Sequence, residues 1–200
     1  LFHAAENLYF HCPNYSFMKH ITRLLSLTLI VLFCSFAAEW VPLVHKAGRF
    51  KIMFPKKPAE SEQSVDTEIG KLKMKIFMYE VGKFKDDNAM YGLIYADYPD
   101  TIINSEFKEE LVDEFFKNAI SGAVSNVKGT LISQKTIEIK GYPGRFVKLS
   151  FLDGQGILDV KIYLVKNRMY MLQVGCETEK DNNASIDKFF NSFELTDIKK

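Results

Sequence analysis

Few residues in this chain have the types and spacing that catalysis needs. His45 is the one histidine after residue 20. A Ser–His–Asp or Cys–His arrangement beyond that point would therefore have to be built on it, and a two-histidine metal site is impossible there. The sequence contains no G-x-S-x-G, H-E-x-x-H or C-x-x-C motif and no phosphate-cradling G-x-x-x-x-G-K-S/T. Cys176 sits beside Val174 in an apolar stretch, where a small core residue is expected rather than a reactive thiol. Asp86 and Asp87, with Asp97 and Asp100, offer oxygen ligands for calcium, but the spacing fits no calcium loop. No catalytic residue, metal site or cofactor is expected.

Binding is a better use for the polar residues that remain. Lys71, Lys73 and Lys75 alternate along one stretch, with Lys56 and Lys57 nearby, and would make a basic stripe for an acidic partner. The plain alternative is a solvated strand whose lysines keep a sheet edge from aggregating. Tyr91 and Tyr95 lead a set with Tyr98, Tyr142, Tyr163 and Tyr170 that could line a partner surface, or simply pave a one-sided sheet. Arg145 and Arg168 stand out because Arg49 is the only other arginine after residue 37. Each can clamp a carboxylate in two places or brace the turn beside it.

The opening residues are expected to be an address, not part of the fold. Met18 starts "MKHITR", the apolar run Leu24 to Cys34 follows, and Ser35 and Ala37 are small residues at the spacing signal peptidase reads. At about 20 residues for a spanning helix, the run is short. Phe33 stands where a lipoprotein leader wants a small residue before Cys34. We therefore expect an upstream extension over 1–17, a signal peptide over 18–37 and one domain over 38–200, periplasmic or extracellular. Taking Lys19, Arg23 and Glu6 away leaves 24 basic and 24 acidic residues and no net field to draw nucleic acid or anionic lipid. Cys176 would be alone, so no internal disulfide is expected.

Hydrophobic periodicity predicts the elements that hold these residues. Two short strands, Trp40 to His45 and Arg49 to Phe54, flank Ala47-Gly48. A hairpin with arms Ser64 to Glu68 and Lys71 to Val81 turns at Gly70. Lys85 to Asn88 makes a turn, and Met90 to Tyr98 returns as a strand. The period then changes. Phe107, Leu111, Val112, Phe115, Phe116, Ala119 and Ile120 stripe a helix predicted over 105–122, capped by Asn104 or Ser105 and stopped at Gly122. Thr130 to Ile139 and Arg145 to Leu152 flank "KGYPG", Ile157 to Val165 and Met169 to Cys176 flank "KNR", and Ile186, Phe189, Phe190 and Phe193 mark a short closing helix. Hairpin-length connections predict an α+β fold: a single antiparallel β-sheet with one long and one short helix packed on it.

"GRFKIMFPKKP", "GYPGR", "YLVKNRMYMLQV" and "FFNSFEL", in that order, carry a resemblance across essentially the whole chain after residue 37. The series is similar to the small secreted bacterial domains of the PsbP-like α/β/α sandwich type. That resemblance implies protein binding without catalysis: an extrinsic assembly subunit in plant photosystem relatives, a small-GTPase binder in eukaryotic relatives, a chaperone of secreted partners in some bacterial ones. It brings no active site to carry over. The expected function is a non-catalytic exported accessory protein that docks a protein partner. The alternative is a carrier holding a small apolar ligand or lipid between the long helix and the sheet, lined by Phe107, Phe115, Phe116 and methionines.

Overall fold

The computed structural model describes residues 39–67, 70–81 and 87–197. The expected extension and signal peptide lie outside the described residues, as do residues 68–69 of the hairpin expected to turn at Gly70, and Lys85 and Asp86.

Strands β1 (Val41–His45) and β2 (Phe50–Phe54) form a hairpin. Strands β3 (Ala59–Thr67), β4 (Gly70–Glu80) and β5 (Asn88–Asp97) follow as a meander. Helix α1 (Glu109–Val127) comes next, then β6 (Thr130–Ile139), β7 (Tyr142–Phe151), β8 (Gly156–Val165) and β9 (Arg168–Glu177). The chain closes with α2 (Ala184–Asn191) and the two-residue strand β10 (Glu194–Leu195).

The expectation of a single sheet is corrected. A seven-stranded antiparallel sheet runs in the order β3-β4-β5-β9-β8-β7-β6, and a separate three-stranded sheet runs β1-β2-β10. The short strand β10 pairs Glu194 with Lys51 and Leu195 with Phe50 on β2. The first hairpin is thereby drawn off into its own layer, together with α2.

Alternation along β8 shows how the layers are held. Leu158, Val160, Ile162 and Leu164 face α1 and are buried with its Val112, Phe116, Ile120 and Ala123. Ile157, Tyr163 and Val165 face the other way, under Phe50, Phe54, Phe189 and Phe193. A strand covered on both faces reads as a nearly continuous apolar run, and "GILDVKIYLV" does so except at Asp159 and Lys161. Burying a side chain such as Phe116 contributes about 1.5–3 kcal/mol, and this two-faced burial is what organises the domain.

Two helix boundaries differ from the sequence reading for local reasons. Asn104 and Ser105 do not cap α1. The Asn104 carboxamide oxygen accepts the Glu106 N–H at 3.1 Å and so stays within the preceding loop, whereas the Ser105 hydroxyl accepts the Lys166 N–H at 3.0 Å and ties that loop to the β8–β9 turn. Gly122 lies inside the helix, which runs on to Val127 and ends at Lys128 in the left-handed region. Gly129 takes over the close approach, since a Cβ there would stand 2.4 Å from the Ser150 carbonyl oxygen. The β6–β7 turn is tighter than expected: Lys140 and Gly141 both have positive φ, 50° and 82°, as a two-residue type I′ hairpin requires. Pro143 and Gly144 are already part of β7.

Candidate protein-docking face

The sequence-predicted residues do not converge on one surface. Tyr91 is withdrawn from any partner surface: it is fully buried, ringed by Trp40 and Phe189, and its hydroxyl accepts the Asn88 carboxamide N–H at 2.8 Å. Tyr95 is buried beneath Arg168, whose guanidinium lies 4.9 Å from its ring centre. Lys75 lies 3.1 Å from Glu62 and 3.7 Å from Glu60, and Lys73 lies 3.9 Å from Glu62, so acids of β3 answer this part of the stripe. The hydrogen bond to Glu62 holds the Lys75 ammonium above the usual lysine value. Lys71 is exposed at the hairpin end.

Arg168 is a brace. Its Nε and Nη2 grip both Asp97 oxygens at 2.5 and 2.6 Å, and its Nη1 donates to the Ala47 carbonyl at 2.8 Å. The Tyr170 hydroxyl adds a 2.7 Å bond to the Gly48 carbonyl, so the β1–β2 turn is pinned to the end of β9. A polar cavity of about 740 Å³ opens beside this clamp, lined by Arg49, Asp97, Lys166, Arg168 and Asp197 among others. Arg168 engages Asp97, which leaves Arg49 and Lys166 beside Asp197 on the cavity walls.

Other candidates for chemistry are also spent on structure. The His45 Nδ1 accepts the Gly48 N–H at 2.8 Å, and its ring packs among Phe50, Phe77 and Tyr95. Burial, with help from Asp181 and Asp159, pushes the Cys176 thiol up to about 11. Asp100 holds the Asn104 carboxamide and Asp97 holds Arg168, while Asp86 of the calcium reading lies outside the described residues. Among the described residues no group of three or more metal-ligating side chains comes together.

Arg145 marks a different kind of place. From β7 its guanidinium lies 4.8 Å from the Phe116 ring centre on α1, its Nη1 donates to the Gly144 carbonyl at 2.9 Å, and its Nη2 bonds Asp113. The bridge to Asp113 ties α1 to the sheet and divides a groove between α1 and β6. On one side a hollow of about 500 Å³ is lined by Phe116, Ile120, Val124 and Leu131. On the other a hollow of about 640 Å³ has Glu109, Asp113 and Glu138 on its walls. Leu131 and its neighbour Ile132 are 39% and 52% exposed.

Sequence reasoning named Phe107 and Phe116 for a pocket between the long helix and the sheet, and they line these two hollows, but it missed the β6 wall because that strand looks ordinary by itself. The one available signal was the apolar content of "TLISQKTIEI", which ends up exposed along seven consecutive positions.

The helix–sheet layer itself is filled. Val112, Phe116 and Ile120 interlock with Val147, Leu149, Val160 and Ile162, each at most 7% exposed. No helix among the described residues is long and apolar enough to cross a membrane.

Comparison with known proteins gives the fold and little else. No family model and no curated protein matches the sequence. Among solved structures, the solution structure of cyanobacterial PsbP (CyanoP) from Synechocystis sp. PCC 6803 is similar, with a TM-score of 0.51 at 11% identity. The match covers 81% of this chain and 95% of that one. The fold is PsbP-like, in agreement with the resemblance seen in the sequence.

Proposed function

We propose that this protein is a non-catalytic, exported accessory protein that docks a protein partner on the face formed by α1 and β6. The observation that carries this reading is the groove beside the Arg145–Asp113 bridge, where Leu131 and Ile132 leave apolar surface open next to a hollow of about 500 Å³. Apolar surface rimmed by charge beside a hollow is how an interaction site presents itself. The filled layer beneath α1 supports docking over carriage of an apolar ligand, since a carrier needs an enclosed volume. Export rests on the basic and apolar leader pattern of residues 18–37.

The test is photo-crosslinking in the source cell from benzoylphenylalanine placed at Lys117 or Gln134, with Lys73 on the opposite sheet edge as the control. A discrete adduct from the first two positions and none from Lys73 supports the reading. No adduct from Lys117 or Gln134, or the same ladder from all three, overturns it.

A further inference from the structure

We propose that β6 accepts an extended segment of the partner as an eighth strand of the large sheet, with an apolar side chain seated over Ile120 and a lysine or arginine two or four residues away between Glu109 and Glu138. The inference rests on reading the α1–β6 face as the docking site, and it adds the form and chemistry of what docks.

Strand β6 is an edge of the seven-stranded sheet, and among the described residues no strand lies on its outer side. A register shift separates Leu131 from Ser133, after which Ser133 to Ile139 pair regularly with β7. Along these seven residues of regular edge, alternate residues present outward N–H and C=O groups that an added strand can pair. The other edge, β3, is guarded: exposed Glu60 and Glu62 stand on it, paired with the β4 lysines. On β6 the charges are Lys135 and Glu138 alone. Lys135 is turned to the face away from α1, its ammonium 5.0 Å from the Phe146 ring centre.

Residues of an added strand that face α1 recur every second position, about 6.6 Å apart. One such position near Leu131 and Gln134 meets the apolar hollow over Phe116, Ile120 and Val124. Positions two or four residues away lie beside Thr136 and Glu138, against the hollow walled by Glu109 and Asp113. Asp113 is already taken by Arg145. Glu109 and Glu138 are exposed, and among the described residues neither has a cation partner. That end of the groove is complementary to a positive side chain and repels a negative one. The occupant is therefore an extended, proline-free segment with an apolar anchor and a basic residue on the same face.

The experiment is selection of a random ten-residue peptide library, displayed on phage, against the full chain, followed by fluorescence anisotropy with the enriched peptides. Enriched sequences are expected to carry an apolar residue and a Lys or Arg at a separation of two or four. Methylating the backbone nitrogen of alternate residues distinguishes strand addition from side-chain docking. Methyl groups on amides that face β6 should weaken binding at least tenfold, while those on the intervening amides should leave it within about twofold. The double variant Glu109→Lys/Glu138→Lys, exposed at both positions, should lose the preference for a basic residue and gain one for Asp or Glu, by about three- to fivefold. Equal tolerance of methylation at every position, or indifference to the charge reversal, overturns the inference, as does a library that yields no binder. The photo-adducts at Lys117 and Gln134 report separately: present without strand-like peptide binding, they retain docking and reject strand addition, and absent, they reject both.

Discussion

Lys148 on β7 and Asp159 on β8 face each other across the sheet, 3.4 Å apart, with 14% and 4% of their side chains exposed. The pair carries the loop that leads into α2, because the same ammonium donates to both Asp181 oxygens at 2.5 and 2.6 Å and to the Asn182 carboxamide oxygen at 3.2 Å. Burial raises the Asp159 carboxyl above its ordinary value, and Lys148 opposes that shift without cancelling it. The asymmetry between the partners has measurable consequences.

Lys148→Met leaves Asp159 with no cation and removes the anchor of Asp181. It is expected to cost about 3–5 kcal/mol in chemical denaturation, the usual penalty for orphaning a buried charge. Asp159→Asn should cost less than half as much, since Lys148 keeps Asp181. The pH dependence follows from the raised carboxyl. The folded state holds the Asp159 proton more tightly than the unfolded chain does, so the stability this contributes is present below the unfolded value of about 3.9 and is lost as pH rises through the folded value. Asp159→Asn should therefore gain on the wild type as pH is raised above about 4. A difference between the two that stays flat with pH would contradict this assignment.

Asn183 works at two ends. Its side-chain oxygen accepts the Ser185 and Ile186 N–H groups at 3.0 and 3.2 Å as the N-cap of α2, and its amide donates to Asn88 and to the Lys180 carbonyl. Asn183→Ala is expected to lose about 1–3 kcal/mol, a cap plus damage to the part-buried bond with Asn88. Asn183→Asp keeps the cap acceptor and should lose less. Thermal denaturation ranks the three.

Cys176 should be inert while the fold is intact. In a Cys12→Ser/Cys34→Ser background, a thiol raised to about 11 and 3% exposed is expected to resist a disulfide reagent at about pH 8 and to react fully in denaturant. Rapid labelling of the native protein would show that the β8–β9 core opens.

Sequencing the N-terminus of the protein purified from its source is expected to give Ala38 as the first residue, and a chain that still starts at Met18 would remove the case for export.

Much of the strand pattern was legible because each hairpin is a local event. Phe50, Ile52 and Phe54 alternate with Lys51 and Met53, and the structure buries the first three. The second sheet was not legible, because it depends on β10, two residues long, reaching a partner near the start of the domain. The start of α1 was misread for a different reason: Asn104 and Ser105 are good caps in isolation, but the β8–β9 turn claims Ser105. Asp159 was the most informative signal left unread. A carboxylate inside "GILDVKIYLV" has to be buried with the rest of that strand, and burial requires a cation such as Lys148. The groove depends on how far α1 lies from β6, a tertiary distance with no local counterpart in sequence.

The docking face is tested most directly by hydrogen exchange of the full chain with and without the partner recovered by crosslinking. Slowed exchange is expected to concentrate in amides of residues 133–139, with the β3 edge at 59–67 unchanged. Protection that falls on β3, or on the turn clamped by Arg168, with β6 exchanging as fast as in the free protein, would contradict it.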